Sequence, residues 1–413
     1  MLQPPTLPIG ARAINALGRV AGAVGLQKDL SEAALLDQAR RSTGLDDFGS
    51  STFLDGFRSL LDSLNTEAHL TTIGRLIARG DIVMLLENRL GIVDWHKRHP
   101  EIGEQPVDRP IIVIGMARTG TTILHHLIGL DPGVRVPMTW ECDRPCPPPE
   151  RATFETDPRI GEVQRQIDRS ESLIPDFKKM HPMGASLSQE CVRMTAAEFA
   201  SMIFQPTFRI PSYNHWLHEE ADLSAAYRFH RKFLQLLQWR CPGSRWILKT
   251  PGHLWALEAV VAEYPDACFI QTHRDPLAIM SSLTSLCTTL RAMTSHTIDP
   301  LEIAREWSEM NAVAYNRSVD ARESGLIAPD RVIDIHFREY LTDPLATLAR
   351  IYDKFDIEFS SEAERRMRAH LERNPSDKHG RHSHTFADTG LSLDEERDKV
   401  RRYQDYFDVP SEL

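Results

Sequence analysis

The run Gly115-Met116-Ala117-Arg118-Thr119-Gly120-Thr121-Thr122 has the residue types and spacing to hold a phosphate group. Its two glycines let the backbone curl so that successive N–H groups point inward. A helix that starts at once after the loop adds the positive end of its dipole. Arg118 can supply a full charge, and the hydroxyls of Thr121 and Thr122 can donate hydrogen bonds. The pattern is GxxxxGTT, not GxxxxGK[ST]. Thr121 stands where nucleotide-hydrolysing loops keep the lysine that reaches the β- and γ-phosphates. No acidic strand end suited to Mg²⁺ is evident, so no metal is expected.

Two further groups could serve an anion. Arg274 lies at the end of an apolar run and Ser282 follows eight residues later, in a helix that Pro276 can open. A strand-end guanidinium and a helix hydroxyl can meet on one phosphate, although Arg274 alone fits a structural salt bridge equally well. Lys378-His379-Gly380-Arg381-His382 is a short basic turn, readable as a solvated loop or as a flap over a second phosphate.

The elements that must carry these residues alternate. Ile111–Ile114 is a β-branched run between Pro110 and Gly115, as expected of a buried parallel strand. The spacing predicts a helix over Thr122–Leu130 and strands at Arg135–Met138, Trp246–Leu248, Cys268–Thr272 and Val332–Ile335. Residues 30–39, 53–64 and 70–96 repeat apolar side chains at helical spacing, with Ser31 and Thr66 as candidate starts. Residues 160–239 read as helical, and Cys142–Pro149 as an irregular proline-rich loop. Ile9–Leu26 is mildly apolar but is broken by Arg12 and Arg19, and reads as an amphipathic helix. The expected class is α/β, a P-loop-NTPase-like three-layer α/β/α sandwich with a central parallel sheet. Residues 1–105 form a helical N-terminal extension on a domain at 106–413, with helical insertions at 150–240.

Bulk composition narrows the partners. The chain has 413 residues, 41% apolar and 26% charged, with a net charge of −10. That charge disfavours a nucleic-acid coat, so any anion must be held by a few focused donors. No stretch of 18 apolar residues is present, and no integral membrane segment is expected. The six cysteines lack zinc-site spacing and read as reduced thiols of a cytoplasmic protein; a Cys142–Cys146 pair is the lesser reading.

Together these motifs resemble the sulfotransferases that use 3′-phosphoadenosine-5′-phosphosulfate (PAPS), nearest to their bacterial branch. Arg118–Thr122 is similar to the family's loop for the 5′-phosphosulfate, and Arg274 with Ser282 to its 3′-phosphate element. Lys378–Arg381 loosely matches its closing basic loop. Leu248-Lys249-Thr250-Pro251-Gly252-His253 and Phe337–Pro344, read with Thr347 and Ile351, extend the likeness. The chain departs from the family with Phe337 in place of a tyrosine and Ile123 in place of a tryptophan.

The resemblance implies that Lys249 neutralises the bridging oxygen as the nucleotide leaves. It implies Glu141, 23 residues past Arg118, as the base for the acceptor hydroxyl, with His253 as runner-up. His181, Glu190 and Trp140 are candidates for the acceptor pocket. The aromatics Phe199, Phe204, Phe208, Tyr213 and Trp216 are candidates for core or for an apolar acceptor wall. The expected activity is sulfuryl transfer to a small-molecule or lipid acceptor, with no nucleic acid. A P-loop kinase or NTPase, and a non-catalytic nucleotide-binding protein, remain the competing readings.

Overall fold

Strand β1 (Ile111–Ile114) is buried along its whole length, and its side chains alternate between two cores. Ile112 and Ile114 enter the larger core, while Ile111 and Val113 enter the smaller one. A period-two split of this kind needs cover on both faces. The protein is seen in a computed structural model that describes residues 2–23, 29–173, 183–374 and 385–413. Beside β1 run β2 (Val134–Arg135), β3 (Arg245–Lys249), β4 (Cys268–His273) and β5 (Val332–His336), in the order β2-β3-β1-β4-β5, all parallel. This is the expected α/β architecture.

The order sets the site. The chain leaves β1 toward β2 and β3, then crosses back to place β4 on the other side of β1. At such a switch point the carboxyl-end loops diverge and open a crevice. The ends of β1, β3 and β4 therefore bring the Gly115 loop, Lys249 and Arg274 to one edge.

Helices α1 (Ile9–Ala23), α2 (Glu32–Thr43), α3 (Phe53–Thr66) and α4 (Thr72–Arg98) precede the sheet. Leu35, Phe57, Leu60 and Leu86 share one core with Ile112, Ile114 and Leu248. At about 1.5–3 kcal/mol per fully buried large apolar side chain, this is a tightly joined face. The other face takes α5 (Thr121–Ile128), whose Leu124, Leu127 and Ile128 pack with Leu348, Ile351 and Tyr352.

Two sequence expectations shift. Ser31 does cap α2, accepting from the Ala34 N–H. Thr66 does not begin a helix; it ends α3 and donates back to the Asp62 carbonyl at 2.8 Å. Thr71 is the cap of α4, accepting from Gly74 at 2.9 Å. The second strand stops at Arg135 rather than Met138, because Pro137 has no N–H for a ladder. All six cysteines are unpaired thiols.

Candidate active site

The loop between β1 and α5 is shaped by its glycines. Gly115 has φ +145°, and a Cβ there would stand 2.1 Å from the Thr272 hydroxyl. Gly120 has φ +92° and caps α5 in the left-handed region, which L side chains avoid. The Thr119 hydroxyl donates to the Met116 carbonyl at 2.7 Å and meets the Thr272 hydroxyl at 2.7 Å. Thr119 therefore braces the loop against β4 while Thr121 is buried and Thr122 is exposed.

Lys249 ends β3 and is almost wholly buried. Its Nζ donates to the Thr122 hydroxyl at 3.2 Å and pairs with the Glu190 carboxylate. The backbone explains the partner. Cys191 N–H donates to the Lys249 carbonyl at 2.9 Å, and Gln189 N–H to the Pro137 carbonyl at 2.7 Å. The stretch around Glu190 is thus stitched between the end of β3 and the chain beyond β2.

On the other side of β1, Arg274 follows β4. Its Nη1 donates to the Arg118 carbonyl at 3.1 Å, and its plane lies 4.4 Å over the Phe337 ring. Nε and Nη2 reach the Glu412 carboxylate at 3.1–3.4 Å. Atoms crowding the Arg118 guanidinium, and then the charge of Arg274, lower the Arg118 pKa. Arg118 and Arg274 are thus neighbouring like charges, and the Glu412 carboxylate balances the second of them. Ser282 lies half-buried on α6 (Pro276–Thr294), which is capped by Asp275; Asp275 is in turn clamped by Arg397.

Comparison with known proteins now adds to this geometry. The model of the Sulfotransferase family matches residues 110–361. The chain belongs to this sulfotransferase family. Among solved structures, sulfotransferase STF9 from Mycobacterium avium is 30% identical, with a TM-score of 0.85 over 93% of this chain and 98% of that one. Sulfotransferase STF1 from Mycobacterium tuberculosis H37Rv is 31% identical, with a TM-score of 0.80 over 90% and 98%. An omega-hydroxy-beta-dihydromenaquinone-9 sulfotransferase, Stf3, of Mycobacterium bovis is 24% identical over 260 residues. That match spans 60% of this chain and 63% of the relative. The family also decides against the kinase and NTPase reading.

Within this member of the family the remaining candidates fall apart into distinct places. Glu141 is 0% exposed. One of its oxygens pairs with Arg135 and the other accepts from the Met138 N–H at 3.0 Å. Burial, opposed first by Arg135, raises its pKa. Both oxygens are committed, one to a buried ion pair and one to a backbone N–H. Arg135 lies between the Trp246 and Phe154 rings at 4.8 and 5.2 Å, which locks the pair further.

His253 is also fully buried. Its Nδ1 meets the Tyr227 hydroxyl at 2.7 Å, on α7 (Ser224–Gln238), and burial lowers its pKa well below the ordinary value. The charges of His230 and Lys249 add to that lowering. Trp140 is buried as well, with Arg159 stacked 4.7 Å from its ring. Phe199, Phe204, Phe208 and Tyr213 are buried, and the Tyr213 hydroxyl donates to the Phe199 carbonyl at 2.8 Å. Half-buried Trp216 packs 5.7 Å from Tyr213. His181, Lys378 and Arg381 lie outside the described residues.

Sequence reasoning placed Glu190 only among pocket residues and did not pair it with Lys249. The two are 59 positions apart, and no spacing rule links them. Thr272, Phe337 and Glu412 also enter the site through tertiary contacts. Of these, Thr272 alone had a local signal, as the strand residue just before His273 and Arg274.

Proposed function

We propose that this protein moves a sulfuryl group from PAPS to a hydroxyl of a small-molecule or lipid acceptor in the cytoplasm. The observation that carries the reading is the convergence of Lys249, Thr122 and Glu190 beside the Gly115–Thr122 loop. The loop amides, Thr121, Thr122 and Arg118 are suited to the 5′-phosphosulfate. Arg274 and Ser282 are suited to the 3′-phosphate, with Phe337 supporting the guanidinium from below.

The transfer forms a bond from the acceptor oxygen to sulfur. It breaks the bond from sulfur to the bridging oxygen, whose electron pair stays on the departing nucleotide. In this reading Lys249 neutralises the charge that grows on that oxygen and the Thr122 hydroxyl donates a hydrogen bond to it, electrostatic stabilisation of the kind that usually contributes most. The acceptor proton goes to Glu190, which we assign as the general base in place of Glu141. Without donor, Glu190 holds Lys249; when Lys249 turns to the bridging oxygen, the Glu190 carboxylate takes the acceptor proton. The name of the mycobacterial relative Stf3 supports a lipid alcohol as one member of the acceptor class.

Calorimetry with 3′-phosphoadenosine-5′-phosphate (PAP) tests the donor side, and transfer of ³⁵S from labelled PAPS to a cell extract tests the reaction. PAP should bind wild type and bind Arg118→Ala more weakly. No binding, or an unchanged affinity in that variant, would overturn the reading.

A further inference from the structure

Arg274 is fixed from three sides. Its Nη1 donates to the Arg118 carbonyl, its plane lies over the Phe337 ring, and its Nε and Nη2 meet the Glu412 carboxylate. Glu412 Oε1 accepts from Nε at 3.2 Å, and Oε2 accepts from Nη2 at 3.1 Å. Phe337 is itself set against the loop, since a Cβ on Gly120 would stand 3.2 Å from its ring. The two charged side chains are 23% and 19% exposed, so solvent screens the pair only in part. The guanidinium fork, whose geometry suits carboxylate and phosphate alike, is therefore already filled by a carboxylate.

The segment that delivers Glu412 is held without that ion pair. Val409 is buried in the larger core, and its carbonyl accepts from the Gln404 side chain at 3.1 Å. Arg397 donates to the Ser411 hydroxyl at 3.0 Å and to the two oxygens of Asp275 at 2.5 and 3.1 Å. Asp275 Oδ2 also accepts from the Glu412 N–H at 2.7 Å, while Oδ1 accepts from the Leu277 N–H at 3.0 Å. One buried carboxylate thus ties Glu412 to the first turn of α6, the helix that carries Ser282. The backbone at Glu412 stays in place by these contacts, and only its side chain has to swing to release Arg274.

Room and charge decide what an incoming anion does there. The space bordered by Arg274, Phe337, Pro410 and Glu412 is about 20 Å³, enough for about one water. A phosphate group is larger than a water and carries charge of the same sign as Glu412. It cannot join the carboxylate on the guanidinium fork and has to take its place. A phosphate monoester near neutral pH carries more negative charge than a carboxylate, so exchange on one cation favours the phosphate.

We propose that Glu412 regulates the donor site by exchange: its carboxylate occupies Arg274 while the site is empty, yields it to the 3′-phosphate of the nucleotide, and returns to help expel PAP after transfer. The inference rests on the assignment of Arg274 to the 3′-phosphate. No covalent bond changes and no proton moves; one anion replaces another on one cation. Donor and product both bind more weakly than they would to an unoccupied guanidinium, and the spent nucleotide leaves faster.

Calorimetry with PAP and with adenosine 5′-phosphate tests it. Glu412→Gln keeps the backbone N–H that meets Asp275 and removes the charge. It should bind PAP about tenfold tighter than wild type, the scale of a hydrogen bond to a charged group, and release it more slowly in a chase experiment. Its affinity for adenosine 5′-phosphate, which has no 3′-phosphate, should stay close to that of wild type. Glu412→Ala should tighten PAP in the same direction, whereas a merely structural role for Glu412 would weaken it. Unchanged or weaker PAP binding in either variant overturns the proposal. So does equal tightening of both nucleotides, which would mark a general gain of positive charge. If PAP binds wild type and Arg118→Ala weakens it while the Glu412 variants match wild type, the donor reading stands and this inference alone falls. If PAP binds none of these proteins, both fall.

Discussion

At the scale of single residues, the site separates groups by what is already attached to them. Glu190 and Glu141 are both carboxylates near β-strand ends, yet one sits on Lys249 and the other is sealed under Arg135. Glu190→Gln should lower kcat by about a hundredfold or more while PAP affinity changes little, as loss of a general base requires. Lys249→Ala should also cost about a hundredfold or more in kcat. Glu141→Gln should behave differently. It leaves Arg135 as an uncompensated buried charge and should cost about 3–5 kcal/mol of stability, read as a lower unfolding midpoint. If Glu141→Gln instead folds normally and loses turnover, the base returns to Glu141. Arg274→Ala should weaken PAP binding about tenfold to a hundredfold, the range for hydrogen bonds to a charged group.

At the scale of elements, close approach between helices is written in glycines. Gly74 of α4 lies against α6, where a Cβ would stand 2.1 Å from the Thr294 carbonyl oxygen. That oxygen already accepts from the Thr71 N–H at 2.8 Å. Backbone cannot give way as a side chain can, so Gly74→Ala should cost about 1–3 kcal/mol, seen as a lower urea midpoint. Gly80 on the same helix meets nothing within 4 Å. Gly80→Ala should therefore be neutral or stabilising, by up to about 1 kcal/mol. Equal effects at the two positions would contradict this packing of α4 on α6. The same logic governs the nucleotide loop, where Gly115 is required by both its φ and its contact with Thr272.

At the scale of the whole molecule, buried neutral histidines set the response to acid. Burial pulls His125 and His230 down to about 3, and His218 to about 4, from 6.5. The folded state then binds fewer protons than the unfolded chain below pH 6.5. Stability should accordingly be fully present above that pH and fall as pH drops toward the folded values. Urea unfolding should show a lower midpoint at pH 5 than at pH 7.5. A midpoint that holds or rises at pH 5 would mean these rings are protonated in the fold.

The loop and the strand–helix unit proposed for the nucleotide were legible in the sequence because their pattern is local. Gly115–Thr122 sits between a strand and a helix, and Arg274 and Ser282 ride one strand–helix unit, so order along the chain implies proximity. The sheet was legible for the same reason, since β-branched runs alternating with helices permit few arrangements. Strand ends moved where a single residue overruled the pattern, as Pro137 did for β2. The acceptor side was not legible. Glu190 meets Lys249 only because the chain from 185 to 191 is laced along residues 137–140 and the end of β3. Whether His253 faces solvent or Tyr227 is likewise decided by the packing of α7, and sequence spacing carries no trace of it. The sequence by itself determined the glycine loop and the strand–helix order that carries it. The tertiary structure decided which carboxylate meets Lys249 and which is sealed under Arg135, because burial and pairing are properties of neighbours distant along the chain.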